Sequence, residues 1–257
     1  MRQFLAGLIA ILLSLELYAQ EKISKAEANS IVYVGGSYTR SHIKPNGLSD
    51  FDGNMGGVQG MYQYRPLRNV YAAIGGFWRS GKNSGNAGTR NLMDAGAHER
   101  IGYTFAVSDD QILLTPYTGF GYRHLAHHVK PNSGSKIKLR YNEFFFPVGL
   151  QSVYDIYQCF AIGLNAVWMP QIFSTVTFNV ADGARWVIKN TYKNFNIALP
   201  FYFHINCVTN LSIVLNPFFE FWQDGRTTAK TQFNDPLGLP KNTYTFWGIE
   251  LNLQYAF

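Results

Sequence analysis

The chain has 257 residues, of which 16% are aromatic and only 15% are charged, with a formal net charge of +6. Soluble domains usually carry about 25% charged residues, so this composition disfavours an ordinary soluble protein. Beyond the first residues no apolar run reaches the ~18 residues of a membrane-spanning helix. The composition is typical of a transmembrane barrel, whose apolar side chains are spread over many strands.

The N-terminus predicts export. Residues 1–19 read MRQFLAGLIAILLSLELYA: Arg2 gives a positive start, an apolar stretch follows, and Leu17 and Ala19 precede a plausible cleavage point. This order is the layout of a cleaved secretory signal peptide. The alternative is an uncleaved N-terminal anchor. Residues 20–29 are polar and are interpreted as a periplasmic lead-in.

Residues 30–257 form one domain of alternating extended segments and connectors. Turn signals rich in Gly, Pro, Asn and Asp separate the segments. We place strands near 30–40, 55–65, 70–80, 92–107, 111–124, 138–154, 159–174, 188–205, 211–222 and 244–257. Short turns fall at 65–69, 108–111, 154–158 and 206–210, and longer polar connectors at 41–54, 80–92, 125–137, 175–187 and 223–243.

The last segment, YTFWGIELNLQYAF, has two different faces. Trp247, Ile249 and Leu251 lie on one face, whereas Glu250 and Asn252 lie on the other, because strand side chains alternate. The pattern recurs in the other segments, so the sheet has one continuous apolar face, which lipid can cover. A sheet in lipid must also close on itself, because closure removes its exposed edges. We therefore predict a single antiparallel transmembrane β-barrel of all-β class with about ten strands. Counts of eight or twelve remain open.

An even number of strands places both ends of the barrel on one side of the membrane. With an exported chain that side is the periplasm, so the short turns are expected to be periplasmic and the long loops extracellular.

A barrel of this size is expected to be filled by its own side chains. The charged residues predicted to face inward are Arg79, Arg100, Arg123, Glu143, Glu220 and Glu250. Arg123 and Glu143 fall on neighbouring strands at similar heights and should approach each other. We interpret them as a structural ion pair, with a gate or a narrow selective pore lining as the alternative.

The two cysteines, Cys159 and Cys207, are predicted to lie at the same periplasmic level. An oxidising compartment permits a disulfide between them. The alternative is two separate thiols, since their strand positions put them on opposite faces.

Histidine and aspartate offer weak catalytic and metal-binding signals. Asp94 and His98 share an inner face, but four strand residues span about 13 Å, so they cannot bond directly. His124, His127 and His128 could bind a metal in a loop, yet no carboxylate or cysteine is spaced to complete the site. We therefore predict no catalytic residues, no metal and no cofactor, and interpret the protein as a non-enzyme.

Basic residues concentrate in the parts of the chain that are expected to be extracellular. They match the phosphates of lipopolysaccharide, whereas nucleic acid is not an expected partner of an exported barrel. Five tryptophans are expected to form an aromatic girdle near the outer rim: Trp78, Trp168, Trp186, Trp222 and Trp247. The loops 125–137 and 223–243 are the expected contacts for an extracellular ligand.

The signal peptide, the hairpin pattern and the terminal Tyr255-Ala256-Phe257 together resemble small bacterial outer-membrane β-barrel proteins. The segments LLTPYTGFGYRHL and YNEFFFPVGL are similar to paired strands of uncharacterised proteobacterial barrels of porin-like or surface type. The resemblance implies a Gram-negative outer membrane. It also implies that Tyr255 and Phe257 belong to the insertion signal recognised by the barrel-assembly machinery.

The leading hypothesis for function is a structural or surface-interaction role with a largely filled lumen. A narrow channel for small solutes is the second hypothesis. A hydrolase located at the rim and acting on lipid A or peptides is the third.

Overall fold

The computed structural model describes residues 30–107, 111–157, 159–178, 185–205, 210–227 and 238–257. The predicted signal peptide, the predicted lead-in and Cys207 lie outside these residues. Within the described ranges, no helix has the length and apolar character needed to cross a membrane.

The described chain forms fifteen strand segments. Their bounds are β1 Ser30–Pro45, β2 Phe51–Tyr64, β3 Val70–Gly85, β4 Gly88–Tyr103, β5 Phe105–Val107, β6 Ile112–Pro131, β7 Ile137–Phe145, β8 Val148–Tyr157, β9 Phe160–Trp168, β10 Gln171–Phe178, β11 Arg185–Val187, β12 Phe195–Ala198, β13 Phe201–His204, β14 Leu211–Asp224 and β15 Asn242–Ala256.

These segments make ten wall strands. The fourth wall strand consists of β4 and β5, the sixth of β7 and β8, the seventh of β9 and β10, and the eighth of β11 to β13. Proline marks three of the breaks, at Pro147, Pro170 and Pro200. Because proline has no N–H group, it cannot donate to the sheet ladder, and the regular pairing is interrupted there.

The sheet closes on itself. β1 pairs with β2 on one side and with β15 on the other, in an unbroken antiparallel register from Ile31↔Ala256 to Pro45↔Asn242. The Ser30 and Phe257 backbones also exchange hydrogen bonds of 3.0 and 2.8 Å. Closure leaves the wall without a free edge, as a span through lipid requires. The predicted ten-stranded antiparallel barrel is confirmed.

Ser30 and Phe257 mark one end of the barrel, which we call the lower rim, and the opposite end is the upper rim. The strands reach much further towards the upper rim than the sequence pattern suggests. The first two upper connectors contain only residues 46–50 and 86–87, whereas 41–54 and 80–92 were expected to be loops. The predicted loop 125–137 is likewise strand except for residues 132–136. Outward side chains such as Lys44 and Lys82 are polar there, whereas Ile43 and Leu92 are buried inside, so the alternation of the apolar belt is reversed where the hairpins project beyond it.

Side chains alternate between the lipid-facing wall and the interior, as predicted. On β15, Trp247 and Leu251 are 49% and 57% exposed, whereas Phe246 and Asn252 on the alternate face are buried. The outward side chains form the apolar belt that lipid covers.

Glycine makes room for large inward rings. A Cβ atom on Gly121 would lie 2.2 Å from the Phe145 ring of the neighbouring strand. That ring packs edge-on against Trp222, with 5.5 Å between ring centroids. Aromatic side chains of one strand thus lie over glycines of the next and occupy part of the inner volume.

Candidate functional site

Four charged side chains meet inside the barrel: Arg79 of β3, Asp94 of β4, Arg123 of β6 and Glu220 of β14. We call them the central charge cluster. Asp94 accepts hydrogen bonds from Arg79 Nε at 2.8 Å and from Arg123 Nε and Nη2 at 2.9 and 2.7 Å. Glu220 Oε1 lies 3.0 Å from Arg79 Nη2 and 2.7 Å from Arg123 Nη2.

The strand register explains three members of the cluster. Arg79 is the direct partner of Asp94, and Arg123 is the partner of Gly96, two residues from Asp94 on the same face. Glu220 comes from the opposite wall, because β14 is four wall strands away from both β3 and β6. The cluster therefore spans the lumen.

Aromatic rings pack against both guanidinium groups. Arg79 Cζ lies 4.1 Å from the centroid of Phe246, and Arg123 Cζ lies 4.2 Å from the centroid of Trp222. Such cation–π contacts strengthen when water is excluded. The four cluster members are 5%, 0%, 3% and 7% exposed, in chain order, so rings and ion pairs together occupy the cross-section of the barrel.

Glu143 differs from its predicted role. It is the register partner of Arg123, yet the two side chains do not form an ion pair, because Arg123 is turned towards Asp94 and Glu220. Glu143 instead accepts hydrogen bonds from Gln171 Nε2 at 2.6 Å and from Trp222 Nε1 at 2.7 Å. Neutral donors therefore hold this buried carboxylate.

A second polar group lies above the central charge cluster, and we call it the upper polar layer. Tyr244 Oη donates to Asp224 Oδ2 and lies 3.1 Å from His127 Nε2. His127 Nδ1 lies 3.3 Å from Arg90 Nη1, whose guanidinium lies 4.5 Å from the Phe51 centroid. These side chains are all buried inside the barrel.

The remaining predicted lumen charges lie below the cluster. Arg100 packs over Tyr117, with 4.7 Å between Cζ and the ring centroid. Glu250 Oε2 accepts a hydrogen bond of 2.6 Å from Asn216 Nδ2. A cavity of about 150 Å³ lies between these residues and the central charge cluster. Arg100, Glu250 and members of the cluster all line it.

The structure does not assemble the other sites considered from the sequence. Asp94 is paired with Arg79 and Arg123, and His98 lies lower on the same face. His127 points inward, whereas His128 is exposed and His124 bonds Asn142 at 2.9 Å, so the three imidazoles do not converge. Among the residues with described positions, no group of three or more His, Cys, Asp and Glu is arranged to hold a metal ion.

Two further sequence expectations concern the lower rim. Cys159 adjoins β9, and its carbonyl accepts from His204 N at 2.9 Å. Cys207 lies outside the described residues, so the disulfide stays a prediction. Tyr255 and Phe257 stack with 6.0 Å between centroids on the outer face. That placement presents two aromatic rings to the membrane at the closing seam.

The tryptophan girdle is smaller than predicted. Trp78, Trp168 and Trp247 face outward with about half of their surface exposed, but Trp186 and Trp222 are buried inside. The strand alternation could have placed Trp222 there, since it shares its face with Glu220, whereas Trp186 fell in the predicted connector 175–187. Asp94 was placed on an inner face with His98 but was left out of the predicted lumen charges, although it shares its face with Arg100.

A closed antiparallel wall with an apolar exterior and buried charges inside defines a transmembrane β-barrel. Residues 7–166, more than half of the chain, match the family model described as outer membrane protein beta-barrel domain. The chain belongs to this family, which assigns it to the bacterial outer membrane.

Two solved structures with the same fold match this chain over most of its length. The outer membrane protease OmpT from Escherichia coli has a TM-score of 0.63 and 10% identity, covering 92% of this chain and 99% of OmpT. The translocator domain of the autotransporter NalP from Neisseria meningitidis has a TM-score of 0.51 and 10% identity, covering 98% of this chain and 97% of that chain. At this identity the likeness concerns the fold alone. No curated protein sequence matched the chain.

Proposed function

We propose that the protein is a non-conducting outer-membrane barrel with a structural or surface-interaction role carried by its upper rim. The observation that carries the proposal is the central charge cluster, in which Arg123 and Glu220 of opposite walls lie 2.7 Å apart. A conducting pore needs a continuous water path through the lumen, whereas the lumen of a small barrel is commonly filled by side chains.

Two features of the interior support a closed lumen. The cations and carboxylates of the central charge cluster satisfy one another, so opening the cluster would leave buried charges unpaired, at a cost of several kcal/mol. The upper polar layer places further side chains above it, with His127, Asp224 and Tyr244 all fully buried.

The same burial favours a non-enzymatic role. A rim hydrolase needs an acid or base that substrate and water can reach. Asp94 is held by two arginines, and the His127 and Asp224 side chains are both tied to Tyr244. The acidic groups nearest the upper rim in the described lumen are thus engaged in hydrogen bonds and inaccessible.

Planar-bilayer recording tests the closed lumen. We expect the refolded mature protein to give no steady conductance step. The double variant Arg123→Ala/Glu220→Ala removes one cation and one anion together and should open a small, steady conductance. Arg140→Ala removes an exposed cation outside the lumen and should stay silent. Steady conductance of the unsubstituted protein would favour the narrow-channel alternative.

The outer wall supports lipopolysaccharide as the surface partner. Outward side chains in one register row cross six wall strands: Arg40, Asn54, Lys82, Asn91, His128 and Lys138. All six are exposed. The row starts where Arg40 covers Trp247 of the aromatic belt, with 5.6 Å between Cζ and the ring centroid. Cations and amides in a row that begins at that belt match the phosphates and sugars of the outer leaflet.

Binding of purified lipopolysaccharide to the refolded barrel in non-ionic detergent tests this partner. Arg40→Gln/Lys82→Gln should weaken binding and reduce its dependence on salt, because surface attraction of this kind is screened. Lys193→Gln, which removes an exposed cation away from the row, is the matched control. Equal binding by both variants would exclude the row as the contact.

A further inference from the structure

The interior below the central charge cluster is not fully packed. The cavity of about 150 Å³ adjoins a smaller one of about 60 Å³ nearer the lower rim. Tyr33, Arg100, Asn165 and Asn216 line both cavities, so the two spaces lie on either side of a shared wall. A single water needs only about 10–15 Å³ of such space, so each cavity has room for more than one water or for a small solute.

The smaller cavity has an unusual charge composition. Arg65 and Arg100 are the only charged residues among its described lining, and no carboxylate lies in that lining. The rest is mainly amides and tyrosines, including Gln63, Gln151, Asn165 and Tyr202. Two cations are therefore surrounded by neutral hydrogen-bonding groups.

Both arginines keep an unused donor. Arg65 Nη1 and Arg100 Nε are buried and have no hydrogen-bond partner in the described part of the chain. Arg100 takes no part in the ion pairs of Arg79 and Arg123 with Asp94 and Glu220. The Tyr117 ring beneath Arg100 stabilises the cation but supplies no counter-charge.

We propose that the smaller cavity binds a small oxyanion, a carboxylate or an inorganic phosphate, between Arg65 and Arg100. Guanidinium groups present a planar set of donors that matches two oxygens of such an anion. An oxyanion would supply the counter-charge that the described lining lacks and would accept hydrogen bonds from the two guanidinium groups. The carboxylate of Glu250 lines the larger cavity and not the smaller one, so the anionic group belongs beside Arg65 and any neutral remainder lies towards Glu250.

Water is the competing occupant, and anion specificity separates the two. The refolded mature protein in non-ionic detergent is titrated calorimetrically with sodium phosphate, sodium acetate and sodium chloride at constant ionic strength. Saturable binding of phosphate or acetate that chloride does not reproduce is the expected result. Preference for phosphate indicates an inorganic anion, and preference for acetate indicates an organic acid. Equal, non-saturable responses to all three salts would mean water only and would overturn the site.

Variants locate the binding. Arg100→Gln and Arg65→Gln should each weaken binding by about tenfold or more, since each loses a charge-assisted hydrogen bond. Arg140→Gln removes an exposed cation and should bind as the unsubstituted protein does. Heat-modifiable migration on gels confirms that each variant is folded before titration. Unchanged affinity in a folded Arg100→Gln variant would contradict the proposal. The site is independent of conductance, so a conducting barrel would refute the closed lumen without refuting the anion site.

Discussion

Arg123 of β6 and Glu220 of β14 meet across the barrel, with 2.7 Å between Nη2 and Oε1. Their strands lie four wall strands apart, so the contact ties one wall to the other through the lumen. Asp94 completes the arrangement by holding the same Nη2 atom at 2.7 Å. An interior organised in this way braces the wall from within.

Asp94 is expected to be the most sensitive member of the cluster. Asp94→Asn keeps the side-chain size but leaves Arg79 and Arg123 with Glu220 as their one remaining carboxylate in the cluster. Breaking a buried ion pair in this way should lower the free energy of unfolding by about 3–5 kcal/mol. Urea titration of the refolded barrel, followed by tryptophan fluorescence, measures the change.

Asp52→Asn is the matched control for that experiment. Asp52 pairs with His42 at 3.0 Å on the exposed surface, and such pairs contribute about 0–1 kcal/mol. A loss for Asp94→Asn no larger than for Asp52→Asn would contradict the role assigned to the cluster.

Trp222 should stabilise the barrel through its indole N–H as well as through packing. Trp222→Phe removes the donor to Glu143 and leaves Gln171 Nε2 as the remaining donor to that carboxylate. We expect a loss of about 1–3 kcal/mol in unfolding free energy. Trp247→Phe, at a lipid-facing position, should change it much less. A similar loss for the two variants would argue against the hydrogen bond.

The direction of each tryptophan can be measured directly. Single-tryptophan variants in brominated lipid should be quenched strongly when Trp78, Trp168 or Trp247 remains. Those retaining Trp186 or Trp222 should be quenched weakly, because both rings lie inside the wall. Strong quenching of Trp222 would mean that β14 is turned by one residue, since a one-residue slip reverses strand faces.

Phe257 is expected to act during assembly more than in the finished barrel. Phe257→Ala keeps the backbone bonds to Ser30 but removes the ring that stacks on Tyr255. If this aromatic pair is recognised by the barrel-assembly machinery, assembly into membranes containing that machinery should slow several-fold. Ile249→Ala, another outward position on β15, should assemble at the normal rate. Equal rates for the two would remove the assigned insertion role.

Alternation along the strands was sufficient to predict the barrel and the strand count. A period of two places Arg79, Arg123 and Glu220 on inner faces without any knowledge of the rest of the chain. The same rule also places Asp94 inside, but its spacing from His98 drew attention to catalysis instead.

The pairing across the lumen could not be predicted in this way. Periodicity predicts the face on which each side chain lies, and the pairing of neighbouring strands predicts its height along the barrel. For this reason Arg123 was expected to bond Glu143. The choice of Asp94 and Glu220 depends on the curvature of the whole wall and on the rings that fill it. Strand lengths were underestimated for a related reason: above the apolar belt the alternation reverses, with polar side chains outside and residues such as Ile43 and Leu92 buried inside, so an outward apolar face no longer marks the strand.

A double-mutant cycle on Arg123→Ala and Glu220→Ala tests the central claim most directly. Unfolding free energies of the two single variants, the double variant and the unsubstituted barrel give the coupling between the walls. We expect a coupling of about 1–3 kcal/mol, because contacting charges in one network are not additive. Losses that add within about 0.5 kcal/mol would mean that the two side chains do not meet across the lumen.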